Sequence, residues 1–398
     1  MYIHRPSFLF TAVLLFIASV PLFTVHGQSE PDQAPIVDVY GPADQRAGSG
    51  LTDVEELFAR EETLRVGPYM GFEANDEQIY DQIGFAAGYG RGIFGVAFDL
   101  MLINDDRYTP AEPYMFGHYF RMNEGIVSLT PDPFTLRAGR INHADEVETP
   151  YSLFISSADL TATIADIEYD DGFFFYRTRW ISLNRNWDYE ANDMIPENAS
   201  PTQQEVIPRD RGANYKAYGL RFGDVRFGVQ ESIVYINQEF YPEYFFSPLP
   251  MYFTQLVNST SGKPWTQQAD ENSLIGFFLD YDTPKTYAYL QFLMDDVNLR
   301  SLAPGFSVTN PNKLAWSLGG RHAYDFGTLG FYHGGATKYT FADTTTQKRN
   351  DVYSLKPYPY TYYPAVTYNG ETLWYDDNYI GYQYGENNLA FMFTFDRG

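Results

Sequence analysis

Residues 388–396 read Asn388-Leu389-Ala390-Phe391-Met392-Phe393-Thr394-Phe395-Asp396. Leu389, Phe391, Phe393 and Phe395 fall on one side of a two-residue repeat, and Asn388, Ala390, Met392, Thr394 and Asp396 on the other. Successive side chains of a β-strand point to opposite faces, so this is a strand with one large apolar face. The same pattern recurs upstream. In Gly92 to Leu102, Phe94, Val96, Phe98, Leu100 and Leu102 alternate with small residues and Asp99. In Gln82 to Tyr89, Ile83, Phe85, Ala87 and Tyr89 alternate with Gln82, Gly84, Ala86 and Gly88. Leu314, Trp316 and Leu318 alternate with Lys313, Ala315, Ser317, Gly319 and Arg321. Phe174, Tyr176, Thr178 and Trp180 leave Arg177 and Arg179 on the other face.

Further strands are predicted near Leu64–Phe72, Tyr114–Met122, Gly125–Thr130, Phe134–Arg140, Leu160–Tyr169, Asn214–Phe222, Val225–Ile236, Ser273–Tyr281, Lys285–Met294 and Thr328–Tyr339. Alternation alone also fits a soluble β-sandwich. Length separates the two: these runs span about 9 to 11 residues, enough to cross a bilayer when tilted, against about 5 or 6 for an average globular strand. Gly223-Asp224, Asp282-Thr283-Pro284 and Asp325-Phe326-Gly327 supply tight turns. The segments Asn184–Ala213, Gln238–Asn272, Asp295–Asn312 and Thr340–Tyr379 read as long external loops. Short and long connections alternate, as an up-and-down barrel requires. The expectation is an all-β fold, a transmembrane antiparallel barrel of about 16 to 18 strands.

The start of the chain predicts export. His4 and Arg5 precede the apolar stretch Ser7 to Val20; Pro21 breaks it, and Val25-His26-Gly27 offers a cleavage site. The expected organisation is a signal peptide over 1–27, a polar periplasmic lead-in over 28–62 with a short helix from Asp53 to Glu62, and a barrel over 63–398. There is no cysteine among the 398 residues, which excludes a lipid-attachment cysteine. No second long apolar run follows, and mean hydropathy is −0.35, yet aromatics make up 18% of the chain, with 34 Tyr and 32 Phe. A barrel explains both, because its apolar residues are diluted by alternation. The formal charge of −24 speaks against a nucleic-acid partner, whose phosphates need basic neutralisation.

From residue 230 onward the motifs fall into a familiar order. Glu231-Ser232-Ile233-Val234-Tyr235 is followed by Glu243–Tyr252 (EYFFSPLPMY), then Asp270-Glu271-Asn272, Gly276–Tyr281 and Tyr289–Asp296. Pro311–Ala315, Tyr379-Ile380-Gly381-Tyr382 and Tyr384-Gly385-Glu386-Asn387 complete it. This half resembles the Wzi-like capsule-assembly family of outer-membrane barrels. The resemblance implies a large barrel with periplasmic helical elements and folded outer loops, and a part in holding or organising surface polysaccharide.

Candidate sites are few. His143-Ala144-Asp145-Glu146-Val147-Glu148 groups one imidazole with three carboxylates, but its spacing matches no metal loop and it reads as a solvated acidic loop. Asp295 and Asp296 are adjacent on a strand, so they point apart and are poor catalytic partners. No nucleophile, metalloprotease, phosphate-binding or dinucleotide motif occurs. The expectation is no enzyme, no cofactor and no metal. In Lys356–Pro364 (KPYPYTYYP), prolines stiffen the chain and Tyr358, Tyr360, Tyr362 and Tyr363 are candidates to stack on sugar rings; packing within a loop or at the membrane interface is the plainer alternative. Arg177, Arg179, Lys313 and Arg321 are expected to face the lumen and to pair there with acids such as Asp99 and Asp280. Three roles fit: a surface-polysaccharide barrel, a general diffusion porin, or a soluble secreted all-β protein. For a barrel the expected partners are outer-membrane lipid, the barrel-assembly machinery during biogenesis, and surface polysaccharide.

Overall fold

A computed structural model of the chain describes residues 62–74, 79–103, 118–155, 161–184, 211–236, 238–259, 271–296, 312–338, 340–341, 348–349, 352–353, 366–368, 371–373, 381–382, 384–385 and 387–397. The expected signal peptide and all but the last residue of the lead-in lie outside these residues.

The fold is an all-β antiparallel barrel. Its wall is β1 (Glu62–Ala74), β2 (Ile79–Arg91), β3 (Phe94–Ile103), β4 (Tyr119–Leu129), β5 (Phe134–Asn142), β6 (Thr161–Asp170), β7 (Phe174–Asn184), β8 (Arg211–Phe222), β9 (Val225–Ile236), β10 (Glu271–Asp282), β11 (Thr286–Asp296), β12 (Lys313–Tyr324) and β13 (Gly327–Ala336), followed by the last strand. Within the long connection after β13, β14 (Lys348–Arg349) pairs with β15 (Val352–Tyr353), and β16 (Val366–Tyr368) with β17 (Glu371–Leu373). β18 (Asn388–Asp396) then returns to pair with β13. Every strand of the main sheet pairs with its neighbour in the sequence, β18 taking the place after β13. Two helices, α1 (Pro242–Phe246) and α2 (Met251–Ser259), lie between β9 and β10.

Among the described residues the continuous sheet has 14 strands, below the expected 16 to 18; the other four described strands are the two short ribbons. One reason is visible in β4. The two runs expected at Tyr114–Met122 and Gly125–Thr130 are a single strand with a bulge: Leu100 faces Met122 and Asp99 faces Glu124, leaving Asn123 as the extra residue. A bulge inserts one residue and breaks the period without ending the strand. The two ribbons occupy the aromatic-rich loop where further wall strands were expected.

The two faces of the wall match the sequence pattern. Phe94, Phe98 and Leu100 are exposed, while Gly95, Ala97, Asp99 and Met101 between them are buried. On β18 the outward side chains are bare, and Phe393 is 79% exposed. Tight connections gather at one end (Gly92–Ile93, Gly223–Asp224, Asp325–Phe326) and long ones at the other. At the tight-turn end the outward aromatics touch in pairs: Phe134 on Tyr169, Phe173 on Phe222, Tyr324 on Phe326, and Phe326 on Phe395.

Gly139 on β5 is a fixed point of the wall. Its φ is +138°, and a Cβ there would come 2.0 Å from the carbonyl oxygen of Gly125 on β4. Gly139→Ala should therefore lower stability by more than about 1 kcal/mol, as Ala does where the native conformation excludes it. Gly172 has φ +86° but open space around its Cα. Gly172→Ala should move the denaturant midpoint of the refolded protein less than Gly139→Ala does.

Candidate functional site: an inward segment held by wall charges

After β5 the chain turns into the barrel. Residues 143–155 run along the inner face of β7 and β9 to β12, then rise towards β6. The tip reaches the tight-turn end. Glu148 N–H donates to the Tyr287 hydroxyl at 2.7 Å, and Arg321 donates to the Glu148 carboxylate at 2.5 Å. Tyr287 is the second residue of β11, and Arg321 lies three residues before the end of β12. On the return, Leu153 N–H donates to Gln291 Oε1 at 3.0 Å, and Gly381 N–H donates to the Phe154 carbonyl at 3.0 Å. Asp145 pins the two limbs together: its carboxylate accepts from Val147 N–H, Phe154 N–H and the Gln291 amide. Burial pushes the Asp145 carboxyl up to about 6, against the pull of those donors. His143 is held well below its ordinary range by burial and by the Arg179 guanidinium. That guanidinium lies 3.2 Å from Nδ1 and donates to it.

The charges of the wall close on this segment. Asp166 of β6 accepts from Arg137 of β5 at 2.7 Å and from Arg179 of β7 at 3.0 Å. Glu146 lies 2.7 Å from Arg177 of β7 and 3.6 Å from Arg226 of β9. Arg177 and Arg137 also hold Glu168, and Arg226 holds Asp280 of β10. With the Arg321–Glu148 pair this is five guanidiniums (Arg137, Arg177, Arg179, Arg226, Arg321) against five carboxylates (Asp166, Glu168, Glu146, Asp280, Glu148). Confined charge is tolerated because it is paired and hydrogen-bonded.

Three sequence expectations change here. The acidic run at 143–148 is not a solvated loop: His143, Asp145, Glu146 and Val147 are buried, because arginines from three other strands neutralise it. Arg177 and Arg179 do face inward and pair, but with Asp166, Glu168 and Glu146; Asp280 takes Arg226 instead. Asp99 is on the inner face opposite Glu124, on the β3–β4 side. Lys313 lies 3.7 Å from Asp295. Asp295 also accepts from Phe341 N–H and the Asn272 amide, so it ties connections together at the long-loop end. Tyr358, Tyr360, Tyr362 and Tyr363 lie outside the described residues.

Apolar packing surrounds the segment. Leu153, Phe154 and Ile155 are fully buried with Tyr215, Phe278 and Leu293 of the wall. Tyr151 meets Tyr382 and Tyr384 edge-on or tilted, so the stretch leading into β18 packs on the inward segment. On the other side of the barrel the inward residues Ala86, Ala97, Asp99 and Ile126 are buried too. Nothing in the sequence had joined 143–155 to the interior, although the apolar run Leu153-Phe154-Ile155, separated by four residues from an acidic cluster, was the available signal.

No family model matches the chain, and no curated protein matches it. Solved structures do. OmpT, an outer membrane protein of Vibrio cholerae, aligns over 69% of this chain and 75% of its own, at 10% identity and a TM-score of 0.34. A mutant of the porin of Rh. blastica aligns over 71% and 86%, at 9% identity and a TM-score of 0.34. Salmonella typhi OmpF, in complex with daunomycin, aligns over 68% and 76%, at 11% identity and a TM-score of 0.34.

Two substitutions separate the strong contact from the weak one. Glu146→Ala removes the buried carboxylate shared by Arg177 and Arg226, which keep Glu168 and Asp280, and should cost about 3 kcal/mol, the low end for a broken buried pair. Glu148→Ala removes a carboxylate that is 64% exposed and should cost no more than about 1 kcal/mol. Denaturant midpoints of the refolded variants check the ranking.

Proposed function

We propose that the protein is an outer-membrane β-barrel that works at the cell surface with its interior closed, holding or organising surface polysaccharide. The observation that carries this reading is the inward segment: residues 143–155 are packed inside the barrel against Tyr215, Phe278 and Leu293, and we take them to close it. The outer face supports the membrane part. Its large side chains are exposed in rows on strands of 9 to 13 residues, and touching aromatics ring the tight-turn end, as at a membrane–water interface. In a soluble sandwich that apolar face would be covered. The polysaccharide part is supported by the ordered Wzi-like motifs of residues 230–398. The signal-like start of the chain supports export, and the long connections are then the external ones.

The role is non-catalytic in this reading. Acids and arginines of the interior are paired with one another, which suits a scaffold. The up-and-down sheet also suits a general diffusion porin, and the closed interior favours the surface-binding role over it.

Two experiments test this. The protein extracted from outer membranes should migrate differently on a gel before and after heating. Phe391→Arg, at the middle of β18, should cost about 2–4 kcal/mol in lipid, the penalty for a cation facing the bilayer midplane. Recovery of the native protein from the soluble fraction without detergent, with Phe391→Arg neutral, would remove the membrane reading. For the glycan, replacing Tyr358, Tyr360 and Tyr362 by alanine should reduce retention of polysaccharide on the cell surface. Unchanged retention with normal amounts of folded barrel would contradict the sugar contact.

A further inference from the structure

The segment between β9 and β10 does not stand off as a loop. Residues 238–259 fold down over the outside of the wall. β8 shows this directly, because residues 211–217 are buried on both faces, inward by the packed interior and outward by this flap. Beneath the flap, beside the apolar contact of Ile233 and Tyr235 with Tyr241, Tyr244 and Met251, several outward side chains are polar. Thr178 Oγ1 donates to the Phe245 carbonyl at 2.9 Å, and Trp180 Nε1 to the Glu239 carbonyl at 2.6 Å. The Lys216 ammonium, fully buried, donates to the carbonyls of Ser247 and Leu249. Glu231 accepts from Met251 N–H at 2.8 Å. Bare in hydrocarbon, such groups would each cost several kcal/mol.

The flap's own polarity is reversed with respect to a water-facing helix. In α2, Met251 and Gln255 face the wall; Gln255 donates to the Glu271 carbonyl at 3.2 Å and accepts from the Ser273 hydroxyl. Phe253 and Val257, half a turn away, point out and are 57% and 53% exposed. Phe246 and Leu249 are exposed beside them. Residues 240–259 carry one charge, Glu243, in a chain with 78 charged side chains (51 acidic and 27 basic). Towards the tight turns the same outer face continues as Phe227, Val229 and Phe277, also exposed. A water-facing helix places its polar residues outward; this one turns Gln255 to the wall and Phe253 and Val257 outward, continuing the apolar belt upward.

We infer that α1 and α2 form a lateral flap lying in the outer leaflet, with Phe246, Leu249, Phe253 and Val257 among lipid acyl chains. The inference rests on the membrane reading of the wall. The flap seals a polar window in that wall and replaces it with a surface that lipid accepts.

The chain has no cysteine, so single labelling sites are clean. Phe253→Cys and Val257→Cys would each carry a nitroxide in protein reconstituted into phosphatidylcholine vesicles. Glu243→Cys reports a polar flap position and Phe393→Cys the belt. The account expects Phe253→Cys and Val257→Cys to match Phe393→Cys: collision with dissolved oxygen exceeds that with a water-soluble nickel chelate several-fold. If nickel reaches the flap labels while the belt label stays in lipid, the flap inference falls and the membrane reading stands. If the flap labels are shielded from both reagents and broaden one another, a second copy covers the flap and lipid is the wrong occupant. If nickel reaches the belt label too, both readings fall.

Discussion

The contact on which the rest depends is Glu146 between Arg177 and Arg226. It joins a segment that leaves the wall after β5 to strands β7 and β9, and it does so in the interior, where ion pairing is poorly screened. Without it, Arg177 would keep Glu168 and Arg226 would keep Asp280, but the carboxylate that ties the inward segment to both strands would be gone. The paired network makes the inward position of residues 143–155 tolerable. Once that position is set, Leu153, Phe154 and Ile155 complete the apolar interior, and Tyr151 gives Tyr382 and Tyr384 a surface on which the chain turns into β18.

The wall solves the opposite problem on its outer side. Backbone groups of neighbouring strands are paired along the sheet from β1 to β18, so these strands can present bare apolar side chains to a medium that offers no hydrogen bonds. Where β7 to β9 carry polar outward residues, the flap supplies partners from its own backbone. The interior and the flap thus share one device: a second piece of the chain supplies hydrogen-bond partners to polar groups that the wall buries.

The wall was legible in the sequence because it depends on a local period. Leu389 to Phe395 alternates without exception, and the structure leaves those four large side chains exposed. The hairpin at Gly223-Asp224 was legible for the same reason, since a tight turn needs a residue that accepts φ +62° at Gly223. The β4 bulge was not, because one extra residue at Asn123 makes one strand look like two. The fate of 143–148 was hidden for a different reason. Its acids look solvated until the arginines are known to be near, and Arg177, Arg226 and Arg321 lie about 30 to 175 residues further along the chain. Arg177 and Arg179 could be assigned to the inner face from alternation, but their partners required the tertiary fold. The flap had a local signal, an aromatic and proline-rich stretch with one charge, whose place against the outer wall no period encodes.

A closed interior inside a lipid-facing wall is the central claim, and single-channel recording tests it most directly. The purified full-length protein in a planar lipid bilayer should insert and give no steady open conductance in moderate salt. A large, persistent, ohmic conductance from the native protein would contradict the account, which has residues 143–155 closing the aqueous path.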